Sequence, residues 1–208
     1  FGNRINSYTY NPQTPVYNMM FNIKYLIQTD VSLAPSSNLY KKKYTTKNKK
    51  ANVYENKYNL PIAYCVNSNI EDWITDEGNP FEIQSDFIKL ATGYSNVFKN
   101  VDYISTDFDS ATGDDVTENG TYWLNKSDAS SQYGTETITL SPTIDGNLYL
   151  YVKSSDLKSI TVNSEKVSDI TQNTDEEYIL DLGFHNKGDE VKVSLDGGTM
   201  ESESTSFD

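Results

Sequence analysis

The chain has 208 residues, with seventeen Lys+Arg against thirty Asp+Glu and a formal net charge of -13, which excludes a protein built to coat nucleic acid, because phosphate calls for a basic surface. A mean hydropathy of -0.63, with no apolar run near the roughly 18 residues that a spanning helix needs, excludes a membrane helix within these residues. One cysteine, Cys65, leaves no disulfide framework, and one histidine, His185, leaves neither a His-rich metal set nor a base for a serine or cysteine nucleophile, so no catalytic residue, metal site or cofactor is assigned.

Sixteen Tyr among many Thr, Ser and Asn favour half-buried pleated surfaces over long helices. The expected fold is α+β and mainly β. A small mixed α/β region over residues 1–95 precedes an antiparallel jelly-roll-like β-sandwich over 96–197, and 198–208 form an acidic flexible linker. Charge divides unevenly along the chain. Residues 1–60 carry nine basic and two acidic side chains, a net of +7, whereas 61–208 carry a net of -20.

The first element is a short helix from Pro15 to Met20, with Thr14 as N-cap and Pro15 at the first helical position. A strand then follows over Phe21–Ile27, where alternation puts Phe21, Ile23, Tyr25 and Ile27 toward an apolar layer, and Asn22 and Lys24 away from it. A lysine run, Lys41, Lys42, Lys43, Lys47, Lys49 and Lys50, lies between Tyr40 and Ala51. It reads either as a hydrophilic loop or as a contact for lipid head groups or an anionic polymer, for which Lys41, Lys42, Lys43 and Lys47 are the candidates. Further strands are expected near Ala51–Tyr54 and Ile62–Val66, the second holding Cys65 as a buried small hydrophobe.

A helix over Pro80–Ala91 has Asn79 as N-cap, Glu82 at its third position and Gly93 as its stop, and its apolar side is expected to lie over a sheet. From Asn96 onward, short alternating runs separated by turn residues cover Val97–Phe108, Gly120–Asn125, Thr135–Leu140, Leu148–Lys153, Ser159–Asn163, Glu177–Asp181 and Glu190–Leu195. Asp107, Asp109 and Glu118 fall at calcium-loop spacing, but Ala111 and Thr112 stand where an oxygen ligand and a glycine belong, so an acidic solvated loop is the better reading. Trp73 and Trp123 are the candidates for stacking on a sugar ring.

Three ordered motifs carry a family resemblance. They are Asn22-Ile23-Lys24-Tyr25-Leu26-Ile27, Val53-Tyr54-Glu55-Asn56 leading to Leu60-Pro61-Ile62-Ala63, and Asn79-Pro80-Phe81-Glu82-Ile83-Gln84. Together they resemble the YfhO-like family of bacterial polytopic membrane proteins. The resemblance implies a bundle of membrane helices, an extracytoplasmic soluble domain and a final membrane helix, with this chain as the soluble part. The membrane half of the family resembles lipid-linked sugar transferases associated with adding sugars to lipoteichoic acid or a related envelope polymer. The implied partners are therefore a cell-envelope glycopolymer or a polyprenyl-phosphate sugar, reached through the parent protein, and the membrane through flanking helices. The implied location is the extracytoplasmic face of the bacterial cell membrane. Asn22, Lys24, Tyr25, Asn56 and Pro61 are the motif positions read as structural or close to lipid phosphate. For Lys24 the competing reading is a solvated lysine, or one paired with Glu55. The rival function is a secreted or surface-anchored carbohydrate-binding or adhesion module.

Overall fold

A computed structural model describes residues 14–29, 35–76, 78–109, 112–113, 122–125, 134–153, 157–169, 177–197 and 200–207. The chain divides into two compact units, Phe1–Val97 and Phe98–Asp208.

The N-terminal unit opens with helix α1 (Pro15–Met20), whose N-cap Thr14 accepts a hydrogen bond from the Tyr17 backbone N–H at 3.2 Å. The strand expected to follow at once is delayed. Phe21 closes the helix and Asn22 takes a left-handed φ of 52°, a conformation asparagine tolerates better than most residues, so β1 runs only over Tyr25–Gln28. The lysine run is not a loop throughout. Lys41, Lys42 and Lys43 lie within β2 (Tyr40–Thr45), and Lys47, Lys49 and Lys50 occupy the turn into β3 (Asn52–Asn56). That turn is closed by Thr46, whose N–H donates to Ala51 O at 2.9 Å while its hydroxyl accepts from the Ala51 N–H at 3.0 Å.

β3 is the centre of a three-stranded sheet in the order β1, β3, β2, antiparallel throughout. Asn52, Tyr54 and Asn56 point inward from β3, with Tyr40 buried on the same side. Asparagine is tolerated there because its amide finds partners: Thr45 Oγ1 donates to Asn52 Oδ1 at 2.9 Å, and Asn56 Nδ2 donates to Ile23 O at 3.1 Å.

No strand forms over Ile62–Val66, and Cys65 is exposed rather than buried. Among the described residues no strand pairs with its backbone, so this apolar segment has no pleated face to bury and runs as irregular chain. A 3-10 helix (Ser68–Asp72) follows, then α2 (Pro80–Thr92) with the expected capping box between Asn79 and Glu82 and a left-handed Gly93 at its end. Phe81, Gln84, Phe87 and Ala91 form its buried stripe. The main neighbours of α2 are the 3-10 helix and α1, where the sequence had placed a sheet. The link to α1 includes a hydrogen bond from the Thr14 hydroxyl to Gln84 Oε1, which gives the motif glutamine a structural role.

The second unit is an antiparallel β-sandwich. Its strands are β4 (Phe98–Asp109), β5 (Thr112–Gly113), β6 (Tyr122–Asn125), β7 (Gly134–Pro142), β8 (Gly146–Lys153), β9 (Ser159–Val162), β10 (Glu165–Asp169), β11 (Glu177–His185), β12 (Val191–Gly197) and β13 (Met200–Phe207). One sheet runs β10, β9, β12, β7, β4, and the other joins β11, β8, β13, β6 and β5. β4 belongs to both, since its first residues pair with β13 and the rest with β7. Ile138, Leu140, Ile160, Val191, Val193 and Leu195 from one sheet meet Leu148, Leu150, Val152 and Leu182 from the other in a single core. Each such side chain contributes about 1.5–3 kcal/mol by leaving water.

The tail is where sequence and structure part most clearly. Residues 200–207 are not a linker: β13 pairs with β8 along one side and with β4 and β6 along the other. A strand is held through its backbone, so a polar Ser/Thr/Glu segment can occupy a sheet interior when both neighbours supply hydrogen bonds.

Candidate functional site

The outward face of the N-terminal sheet combines exposed apolar and basic side chains. Strand pairing sets Ile27, Val53 and Tyr44 in one row across the three strands, and Tyr25, Glu55 and Lys41 in the next. Ile27 is 71% exposed, Tyr44 53% and Tyr25 49%, while Val53 between them is half-buried. A register shift between Lys42 and Tyr44 makes Lys43 the extra residue of a bulge and directs it across the face, where its Nζ lies 3.0 Å from Glu55 Oε2. Lys24 reaches the same region, its Nζ 5.6 Å from the centre of the Tyr25 ring. The Lys43 hydrogen bond, aided by the charges of Lys43, Lys24 and Lys41, holds the Glu55 carboxyl below its ordinary range. The acid therefore stays ionised and offsets one of the three lysines around it.

The face is inverted relative to its alternation pattern. Phe21, Tyr25 and Ile27 were expected against an apolar layer, yet all three are exposed, while Leu26 and Gln28 lie opposite the inward-pointing Tyr54 and Asn52. Lys24 has Glu55 nearby, but Lys43 holds the ion pair. Lys42 is exposed on β2 and Lys47 is exposed in the adjoining turn.

The motif asparagines are structural. Asn56 is buried and tethers both chain ends of the sheet, donating to Ile23 O and accepting from the Tyr58 N–H at 3.0 Å. Asn22 Oδ1 accepts from Asn59 Nδ2 at 3.3 Å. Pro61 is exposed in the irregular segment that also carries Ile62, itself 92% exposed.

Trp73 is half-buried, donating from Nε1 to Ile83 O at 2.9 Å and packing edge-on against Phe87 at 5.1 Å between ring centres. Those contacts fix the 3-10 helix to α2. Trp123 lies on β6, its backbone opposite Glu201, and the stacking expected of its side chain falls outside the described side chains. Of the expected acidic loop, Asp107 and Asp109 lie within β4, and Glu118 falls outside the described residues.

Sequence reasoning missed two carboxyls in the sandwich, the buried Glu136 and the partly exposed Asp181. Glu136 on β7 is wholly inaccessible, neither carboxyl oxygen has a hydrogen-bond partner among the described residues, and burial pushes its pKa up to about 7. Its position two and four residues before the core residues Ile138 and Leu140 was the available signal. Asp181 is also raised by burial, opposed by hydrogen bonds from the Gly183 N–H at 2.9 Å and from Asn147 Nδ2 at 3.3 Å. Among the described residues no group of three or more His, Cys, Asp or Glu is placed to hold a metal ion.

Matches among solved structures cover about half of this chain. A β-glucosidase from Kluyveromyces marxianus in complex with glucose matches with 15% identity and a TM-score of 0.32, covering 47% of this chain and 13% of the glucosidase. A family 35 carbohydrate binding module from Clostridium thermocellum matches with 12% identity and a TM-score of 0.31, covering 50% of this chain and 98% of the module. A variant of a family 29 carbohydrate binding module matches with 17% identity and a TM-score of 0.28, covering 54% of this chain and 85% of the module. No curated protein matches the chain. A family model described as bacterial membrane protein YfhO matches residues 2–208.

Proposed function

Since this chain belongs to the YfhO family of bacterial membrane proteins, we propose that it forms the non-catalytic extracytoplasmic domain of an integral membrane protein that moves a sugar from a polyprenyl-phosphate carrier to lipoteichoic acid or another envelope polymer. The observation that supports this reading is the family match over nearly the whole chain. No helix among the described residues is long and apolar enough to cross a membrane, so in this reading the spans and the transfer chemistry belong to other parts of the parent protein.

The domain's part is positional. Lys41, Lys42, Lys43 and Lys47, gathered on one hairpin, present ammonium groups to phosphate-bearing components of the envelope. The test is to remove residues 1–208 from the parent protein in its own bacterium and measure sugar on the envelope polymers. Loss of a sugar substituent, with the truncated protein still inserted in the membrane, is the expected result. Unchanged substitution overturns the proposal, and specific glycan binding by the isolated chain without that loss favours a carbohydrate-binding module instead.

A further inference from the structure

The geometry points to the outward face of the β1–β3–β2 sheet as a surface that lies on an anionic lipid bilayer, with Tyr25, Ile27 and Tyr44 entering the head-group boundary and Lys24, Lys41 and Lys43 meeting lipid phosphates. This rests on the membrane-protein reading and adds the part of the domain that touches the bilayer and the lipid chemistry it selects.

The apolar and basic components occupy one face. Ile27, Val53 and Tyr44 form a continuous row from one edge strand to the other, and Lys24, Lys41 and Lys43 surround the single carboxylate of Glu55. The adjoining turn extends the charge with exposed Lys47, Lys49 and Lys50, and residues 40–54 contain no acidic side chain. Such a surface in water leaves branched and aromatic side chains solvated without gain. At a bilayer, the same side chains reach the acyl boundary while lysine ammonium groups remain at the level of the phosphates.

Charge complementarity selects among occupants. A soluble polyanion would engage the lysines but leave Ile27 and Tyr44 in water. A neutral sugar would use an aromatic ring but give the lysines no counter-charge. A second copy of the same face would set lysines against lysines. An anionic bilayer suits both components.

The test is sedimentation of the 208-residue chain with vesicles of phosphatidylcholine alone and of phosphatidylcholine mixed equally with phosphatidylglycerol. Binding is expected to the mixed vesicles only and to weaken as salt rises. Lys24→Gln with Lys41→Gln should lower partitioning by about tenfold or more, and Ile27→Ser with Tyr44→Ser by about tenfold. Lys187→Gln with Lys192→Gln, in the other unit, should change nothing. Circular dichroism checks that each variant is folded.

Absence of binding to mixed vesicles overturns the inference. So does wild-type binding by the folded Ile27→Ser/Tyr44→Ser variant, or equal competition by soluble poly(glycerol phosphate), since either reduces the face to a polyanion contact. The envelope-sugar experiment is independent: failure to bind vesicles alongside a loss of polymer sugar removes the docking face and leaves the proposed function standing.

Discussion

Glu136 shows how one residue can set a pH response. Its carboxyl ordinarily titrates near 4.5 but is pushed up to about 7 by burial in the sandwich, where no hydrogen bond among the described residues compensates the charged form. Below about pH 4.5 the group is protonated whether the chain is folded or not. Between about 4.5 and about 7 the folded chain keeps a proton that the unfolded chain has released, so stability falls as pH rises, by about 3 kcal/mol in all. Asp181, raised by the same cause, adds a slope of the same sign. Urea unfolding from pH 4.5 to 8 should show Glu136→Gln with a flatter profile than the parent chain; an unchanged slope would mean that the carboxyl is solvated. The alternation Glu136, Ile138, Leu140 already pointed inward in the sequence, but an acid at one end of an apolar row looks the same whether the row ends at the surface or continues into the core.

At the scale of elements, α2 was readable because its signals are local: Asn79, Pro80, Glu82 and Gly93 act within one turn of the helix ends they define. The strands of the sandwich core were readable because alternating apolar side chains persist over their length. β13 was not, because Met-Glu-Ser-Glu-Ser-Thr-Ser-Phe offers no apolar alternation and its order comes from β8 on one side and from β4 and β6 on the other. Ending the chain at Gly197 should therefore open two rows of backbone groups and lower stability by about 3 kcal/mol or more, read as a fall in the urea midpoint. A flexible linker could be removed without effect, so an unchanged midpoint would restore that view of the tail. On β1 the pattern was visible but its direction was not: alternation separates two faces, and the inward asparagines of β3 show that the more apolar face need not be the buried one.

Across the whole molecule, the proposed location outside the cell membrane has a direct chemical probe. Cys65, expected in a buried strand, is exposed in irregular chain. In a parent protein whose other cysteines have been replaced, a membrane-impermeant maleimide should label Cys65 on intact cells; labelling only after lysis would place the domain on the cytoplasmic side. The sequence by itself determined the mainly β character, the two capped helices, the basic N-terminal stretch against the acidic remainder, and motifs whose family the match over residues 2–208 establishes. Each of these depends on composition or on neighbours a few residues away. Only the tertiary structure decided that Tyr25, Ile27 and Tyr44 share an outward face with three lysines, that Asn56 and Gln84 tie elements together, and that residues 200–207 join a sheet. Those outcomes depend on partners distant in the chain, because a strand's neighbours and its buried side are set by the backbone groups and surfaces that meet it, which its own local pattern does not contain.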